Sequence, residues 1–157
     1  MKKGIYSISA GVLAGEGSAM VAGTLNDYVN KNVGIYWTAG IFAPMIEEIL
    51  KSGLAESIQG DVLFSHLTFG SSEGLVYFNS RGATEFDFRR SILHACFGAL
   101  YLLGLETFKS KQNALILSII AHMAWNLYQL SKLSARDTAI YGGLDKFDYT
   151  WQELKNK

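Results

Sequence analysis

The chain has 157 residues, with 14 basic and 14 acidic side chains and a formal net charge of zero. That length supports one domain with a modest core, and the balanced charge excludes nucleic acid as a partner, which would need a basic surface. Charged residues make up 18% of the chain and hydrophobic ones 49%; the first value is well under the usual quarter.

In chain order, Gly4 to Gly23 is interrupted by one charge, Glu16. Met1-Lys2-Lys3 before this apolar run is leader-like, but the run is long and lacks a clear small-residue cleavage site, so a retained first helix over about 4–27 is expected. Ser7, Gly11, Gly15, Ala19 and Gly23 recur at four-residue intervals, a ladder that lets another helix backbone approach closely in lipid and makes self-association into a homo-oligomer plausible. Glu16, beside the ladder, is expected to face the bundle. Asn26 to Asn32 reads as a polar loop. A second helix is expected over about 34–58, kinked or opened at Pro44. Gly60-Asp61 then makes a turn and helix cap, opening a third helix at about 61–80. The segment 79–90 is a charged loop; a fourth helix covers about 88–108 and a fifth about 112–132.

Val33 to Ile46, Ser91 to Leu105 and Gln112 to Ser131 carry no Asp, Glu, Lys or Arg. The last is about the length needed to span a bilayer, and the shorter two become spans if flanking Arg and Lys snorkel. No alternating strand pattern persists. The expectation is an all-α, polytopic transmembrane bundle of about five helices over residues 1–132, with a polar site in its core, and a polar tail over 133–157. In that tail Thr150-Trp151-Gln152-Glu153 fits a capping box opening a short helix. Cys96, the only cysteine, rules out a disulfide framework within the chain and reads as apolar filler.

Polar groups within the apolar helices carry the functional signal, because a carboxylate or imidazole there costs several kcal/mol unless something offsets it. They are Glu47-Glu48 with Lys51, Glu73 between Gly70 and Gly74, His94, and His122 with Asn126. At about 1.5 Å per residue, Glu47 and His122 sit roughly 15 Å above the side on which helices two and three meet, Glu73 roughly 18 Å and His94 roughly 21 Å. One level therefore holds all four. Glu47 and Lys51, four apart, are expected to pair while Glu48 points about 100° away; His122 and Asn126 share one face of helix five.

Plainer roles exist for each: an intrahelical Glu47–Lys51 pair, Glu48 solvating a helix end, His94 as a cap, His122 and Asn126 as interhelical polar contacts. His66, without a matched partner, reads as structural. Gly70-Ser71-Ser72-Glu73-Gly74 also spells a nucleophile elbow, whose surviving version here is a rhomboid-like Ser72–His122 protease. Non-enzymatic alternatives are a b-type haem bundle with His94 and His122 as axial ligands and a membrane scaffold whose polar residues fix packing.

Pro44-Met45-Ile46-Glu47-Glu48-Ile49-Leu50-Lys51, Phe69-Gly70 with Glu73-Gly74 and Tyr77, His94 with Phe97-Gly98, and His122-x-x-x-Asn126 together resemble the PrsW-type intramembrane protease family. They are more distantly similar to the CAAX prenyl endopeptidase and bacteriocin-processing group. The resemblance spans about residues 40–130. It implies an integral membrane endopeptidase, in a prokaryotic cytoplasmic membrane, that cleaves membrane-anchored protein or peptide substrates in or near the bilayer. Glu47 and Glu48 match the paired-glutamate motif, Glu73 the following acid, and His94 and His122 the two histidines. In one branch these residues are regarded as a possible metal site; in the other, glutamate and histidine activate water without metal while the last His and Asn hold the oxyanion.

The expected mechanism has Glu47 as general base, Glu73 and His94 positioning the water, and His122 and Asn126 stabilising the oxyanion, at ~3–4 kcal/mol per donor. If zinc is used, Glu73, His94 and His122 supply three ligands and water the fourth. No other cofactor is expected.

Overall fold

The computed structural model describes residues 2–34, 37–81 and 88–131. They form five α-helices, which we label α1 (Lys2–Val33), α2 (Ala43–Ser57), α3 (Val62–Arg81), α4 (Phe88–Phe108) and α5 (Lys111–Ser131), with one π-helical turn, Thr38–Phe42, leading into α2. There are no strands among the described residues. The expected all-α bundle is what the chain forms. Among the described residues three helices, the Gly4–Val33 portion of α1, α4 and α5, are long and apolar enough to cross a membrane, consistent with an integral membrane protein. The tail beyond residue 131, with its expected capping box, lies outside the described residues, as do 82–87 of the expected loop; 79–81 and 88–90 are helical.

Helix α1 runs six residues past the expected end, through the polar stretch expected to be a loop. Asp27, Lys31 and Asn32 lie on an exposed face, where polar side chains do not oppose a helix. The stop comes at Gly34, whose φ of 83° suits a residue without Cβ and whose N–H closes on the Asn30 carbonyl at 3.0 Å. At the start of α3 the expected cap is present: Asp61 Oδ1 accepts the Phe64 N–H at 3.1 Å.

Pro44 does open the chain. It lacks an N–H and its ring crowds the preceding turn, and the turn before it widens so that the Ala43 N–H bonds the Thr38 carbonyl, five residues back. The Ala39 carbonyl then has no helical donor: its α-helical partner is the N–H of Ala43, already used, and the next residue is proline. Asn126 of α5 supplies the missing bond, its Nδ2 donating to Ala39 O at 2.8 Å.

The small-residue ladder packs within the chain. A Cβ on Gly15 would collide with the Ser65 carbonyl and stand 2.8 Å from Thr68 Cβ, and one on Gly11 would strike the backbone of Asp61. Helix α3 thus lies directly on α1, and the Asp61 N–H bonds Ser7 O at 2.8 Å. Gly23, at the far end, has open space around it. Glu16 is exposed rather than turned into the bundle, because the buried stripe runs through Ala10, Ala14, Ser18 and Ala22 and Glu16 falls off it. Cys96 is likewise exposed and fills no core space.

Large apolar side chains face outward, among them Ile5, Leu13, Met20, Ile92, Leu103, Ile116 and Ile120, as suits helices surrounded by lipid. The interior is small or polar: among the described residues six of the ten buried hydrophobic ones are alanine, and the largest fully buried side chains include Lys51, His66 and Glu48. Replacing Gly15 with alanine overpacks the α1–α3 contact and is expected to cost about 1–3 kcal/mol, whereas Gly23→Ala should be neutral; reversible unfolding in detergent measures both.

Candidate functional site

Glu47, Glu48 and Lys51 lie on the inward face of α2, with His122 and Ser118 on α5, His94 on α4, and His66 and Glu73 on α3. Glu48, Lys51 and His66 are fully shielded, and Glu47, His94 and His122 nearly so. The four segments meet at one level, as the rise per residue suggested.

The pairing within α2 differs from expectation. Lys51 Nζ stands 2.6 Å from Glu48 Oε1, so the ion pair is i,i+3 and the partner is Glu48, not Glu47. Both spacings bring side chains onto one helix face, and burial selects the carboxylate that has further donors. Glu48 does not point away; it is the hub. Besides Lys51 its carboxylate accepts His122 Nδ1–H at 2.9 Å and the Ser118 hydroxyl, and His66 Nδ1 stands 3.8 Å from Oε2. Ser118 is one helical turn before His122, a four-residue spacing visible in the sequence. His66 also lies 3.2 Å from Ser52 Oγ through Nε2.

Lys51 reaches across to α4 as well, its Nζ 2.9 Å from His94 Nδ1 and 4.5 Å from the centre of the Phe69 ring. An ammonium has only donors, so His94 Nδ1 accepts and Nε2 carries the ring proton. That proton is donated to Glu73 Oε2 at 2.9 Å. Arg90 stands 3.7 Å from the same oxygen. Glu73 is therefore joined to the cluster through His94, and it is the most exposed member, at 30%.

The same logic fixes His122. Its Nδ1–H is given to Glu48, so Nε2 holds a lone pair, and Nε2 faces Glu47 Oε2 at 3.7 Å. Glu47 Oε1 accepts the Nδ2 amide of Asn26, from the end of α1, at 3.1 Å. With Glu47 ionised, two acceptors oppose one another in a shielded place, too far apart for a direct hydrogen bond. Aromatic contacts hold the imidazoles: His122 stacks on Phe97 with ring centres 4.4 Å apart, and His94 meets His122 edge to face at 5.1 Å. That contact leaves no gap for a porphyrin between the two histidines.

One N–H of the Asn126 amide bonds Ala39 O rather than a member of this cluster; the shared face of α5 thus reaches the site with His122 and the π turn with Asn126. Ser72 is half-buried, and both ring nitrogens of His122 face glutamates rather than Ser72.

For a metal, the converging set is Glu47, His94 and His122, each offering one ligand atom, the three within 4.8 Å of one another; the expected set had Glu73 in place of Glu47. Tetrahedral zinc brings its donors to about 3.4 Å from each other. Both His94 nitrogens are already engaged, one by an ammonium and one by a carboxylate, which leaves only Glu47 and His122 with free lone pairs aimed at a common point. The donor arrangement suits a water better than a zinc ion.

No protein-family model matches the chain, and no curated protein or solved structure shows significant similarity to it.

Removing one member of a buried ion pair leaves the other uncompensated. Lys51→Met is expected to destabilise the fold by about 3–5 kcal/mol, and adding Glu48→Gln to it should restore part of that loss. Detergent unfolding of both single variants and the double variant closes the cycle.

Proposed function

We propose that the protein is an intramembrane endopeptidase in which Glu47 and His122 hold and activate a water molecule. The observation that carries this reading is the opposition of Glu47 Oε2 and His122 Nε2 across 3.7 Å. A water donating one proton to each sits at ordinary hydrogen-bond lengths of about 2.8 Å from both. Ordered motifs resembling those of PrsW-type proteases add support, as does the outward-facing apolar surface, which suits a bundle embedded in lipid. A prokaryotic cytoplasmic membrane is the location we propose on the same resemblance.

In the proposed reaction Glu47 Oε2 takes a proton from the water, whose oxygen adds to the scissile carbonyl carbon. The C–N bond then breaks, and the proton held by Glu47 passes to the departing amine. His122 orients the water through Nε2, its tautomer set by Glu48 at Nδ1. Lys51, fixed between Glu48 and His94, keeps both groups in place. Glu73 holds His94 upright beside His122. A membrane-anchored protein or peptide is the substrate class that can reach such a site. Asn126 serves the backbone around Pro44 through one N–H in this scheme, and its part in oxyanion stabilisation falls to the second.

Glu47→Gln keeps the shape and removes the base. It should lower cleavage of a membrane-anchored reporter in proteoliposomes by roughly 10²–10⁴-fold, with His122→Ala similarly impaired. Ser72→Ala should retain wild-type rates, and a chelator should leave the activity unchanged. Full activity in Glu47→Gln would remove the proposal; loss in Ser72→Ala would point to the serine mechanism, and loss with chelator to a metal.

A further inference from the structure

Asn26 stands near the end of α1, in the stretch expected to be a loop, and reaches a residue 21 positions further along the chain. The π turn, α2 and α3 pack against α1, while the π turn, α2 and α4 pack against α5. Glu47 on α2 is therefore met from one side by Asn26 and from the other by His122.

We propose that Asn26 is a positioning residue for Glu47 and an acceptor for the substrate backbone. Its Nδ2 holds Glu47 Oε1, leaving Oε2 turned toward His122, and its Oδ1 takes a peptide N–H of the bound chain. This rests on the hydrolase reading above. The amide turns its NH₂ to Glu47 Oε1, the orientation that the ionised, accept-only carboxylate of a general base requires. Oδ1 is then shielded from solvent and has no hydrogen-bond partner in the structure. A buried acceptor left without a donor bears its full desolvation cost, and a polypeptide supplies an N–H at every residue except proline. No other described side chain touches the acid's first oxygen while presenting an unused acceptor of its own.

The test uses the whole 157-residue chain in liposomes with Asn26→Ala, which removes donor and acceptor, and Asn26→Asp, which keeps the shape and an acceptor but not the amide. For a cleaved reporter, kcat should fall by about 10–100-fold in both, as expected for a reacting group misplaced by a fraction of an ångström to an ångström, while KM rises only in Asn26→Ala. Independently of cleavage, labelling of Glu47 by a hydrophobic carbodiimide, read by mass spectrometry, should rise several-fold in Asn26→Ala, with Glu48 and Glu73 unchanged. Unchanged Glu47 labelling with unchanged kcat would overturn the positioning role. An equal rise of KM in Asn26→Asp would overturn the acceptor role. If the wild-type protein cleaves nothing, the hydrolase reading and the acceptor role fall, and the labelling result alone decides the positioning of Glu47.

Discussion

A carboxylate and an ammonium, both removed from solvent and 2.6 Å apart on one turn of α2, set the terms for everything around them. Each ion alone would be prohibitive at this depth, and together they hold only if their remaining donors and acceptors are also met. Glu48 therefore needs Ser118 and His122, and Lys51 needs His94 and the face of Phe69. Those demands fix which sides of α4 and α5 turn inward. They also set the proton positions on both imidazoles, so that the one unused lone pair of His122 ends opposite Glu47. Packing and chemistry are here the same set of contacts.

The rest of the interior is arranged to let that cluster exist. Alanine, serine and glycine let the helices approach closely, and the bulky side chains that a water-soluble bundle would bury are turned outward. In lipid this carries no penalty, because the surroundings are as apolar as a core. Gly98 shows the fit locally: a Cβ there would stand 3.0 Å from His66, so the glycine gives the buried imidazole its room.

Much of this was legible in the sequence. Uncharged runs and the Asp61 cap placed α3, α4 and α5 within a residue or so, and counting along the helices put the acids and histidines at one level. The end of α1 was not legible: a polar run reads as loop unless one knows that its exposed side tolerates polar groups and that Gly34 supplies the stop. The choice between Glu47 and Glu48 as partner of Lys51 was likewise hidden, since three- and four-residue spacings are both favourable and only the donors from α5 decide. Asn26 had no signal at all, because nothing local ties it to an acid 21 positions on, in the next helix. Ser118 could have been found from its spacing to His122.

The widened turn before Pro44 ties two distant positions into one unit. The proline strips a carbonyl of its natural partner, and a side chain more than eighty residues later repairs the loss. Neither residue has a reason to persist without the other: with an ordinary amino acid at position 44 the backbone could close normally and position 126 would be released from its duty. In any homologous chain these two sites should drift together or not at all, a correlated history written by a single unpaired oxygen.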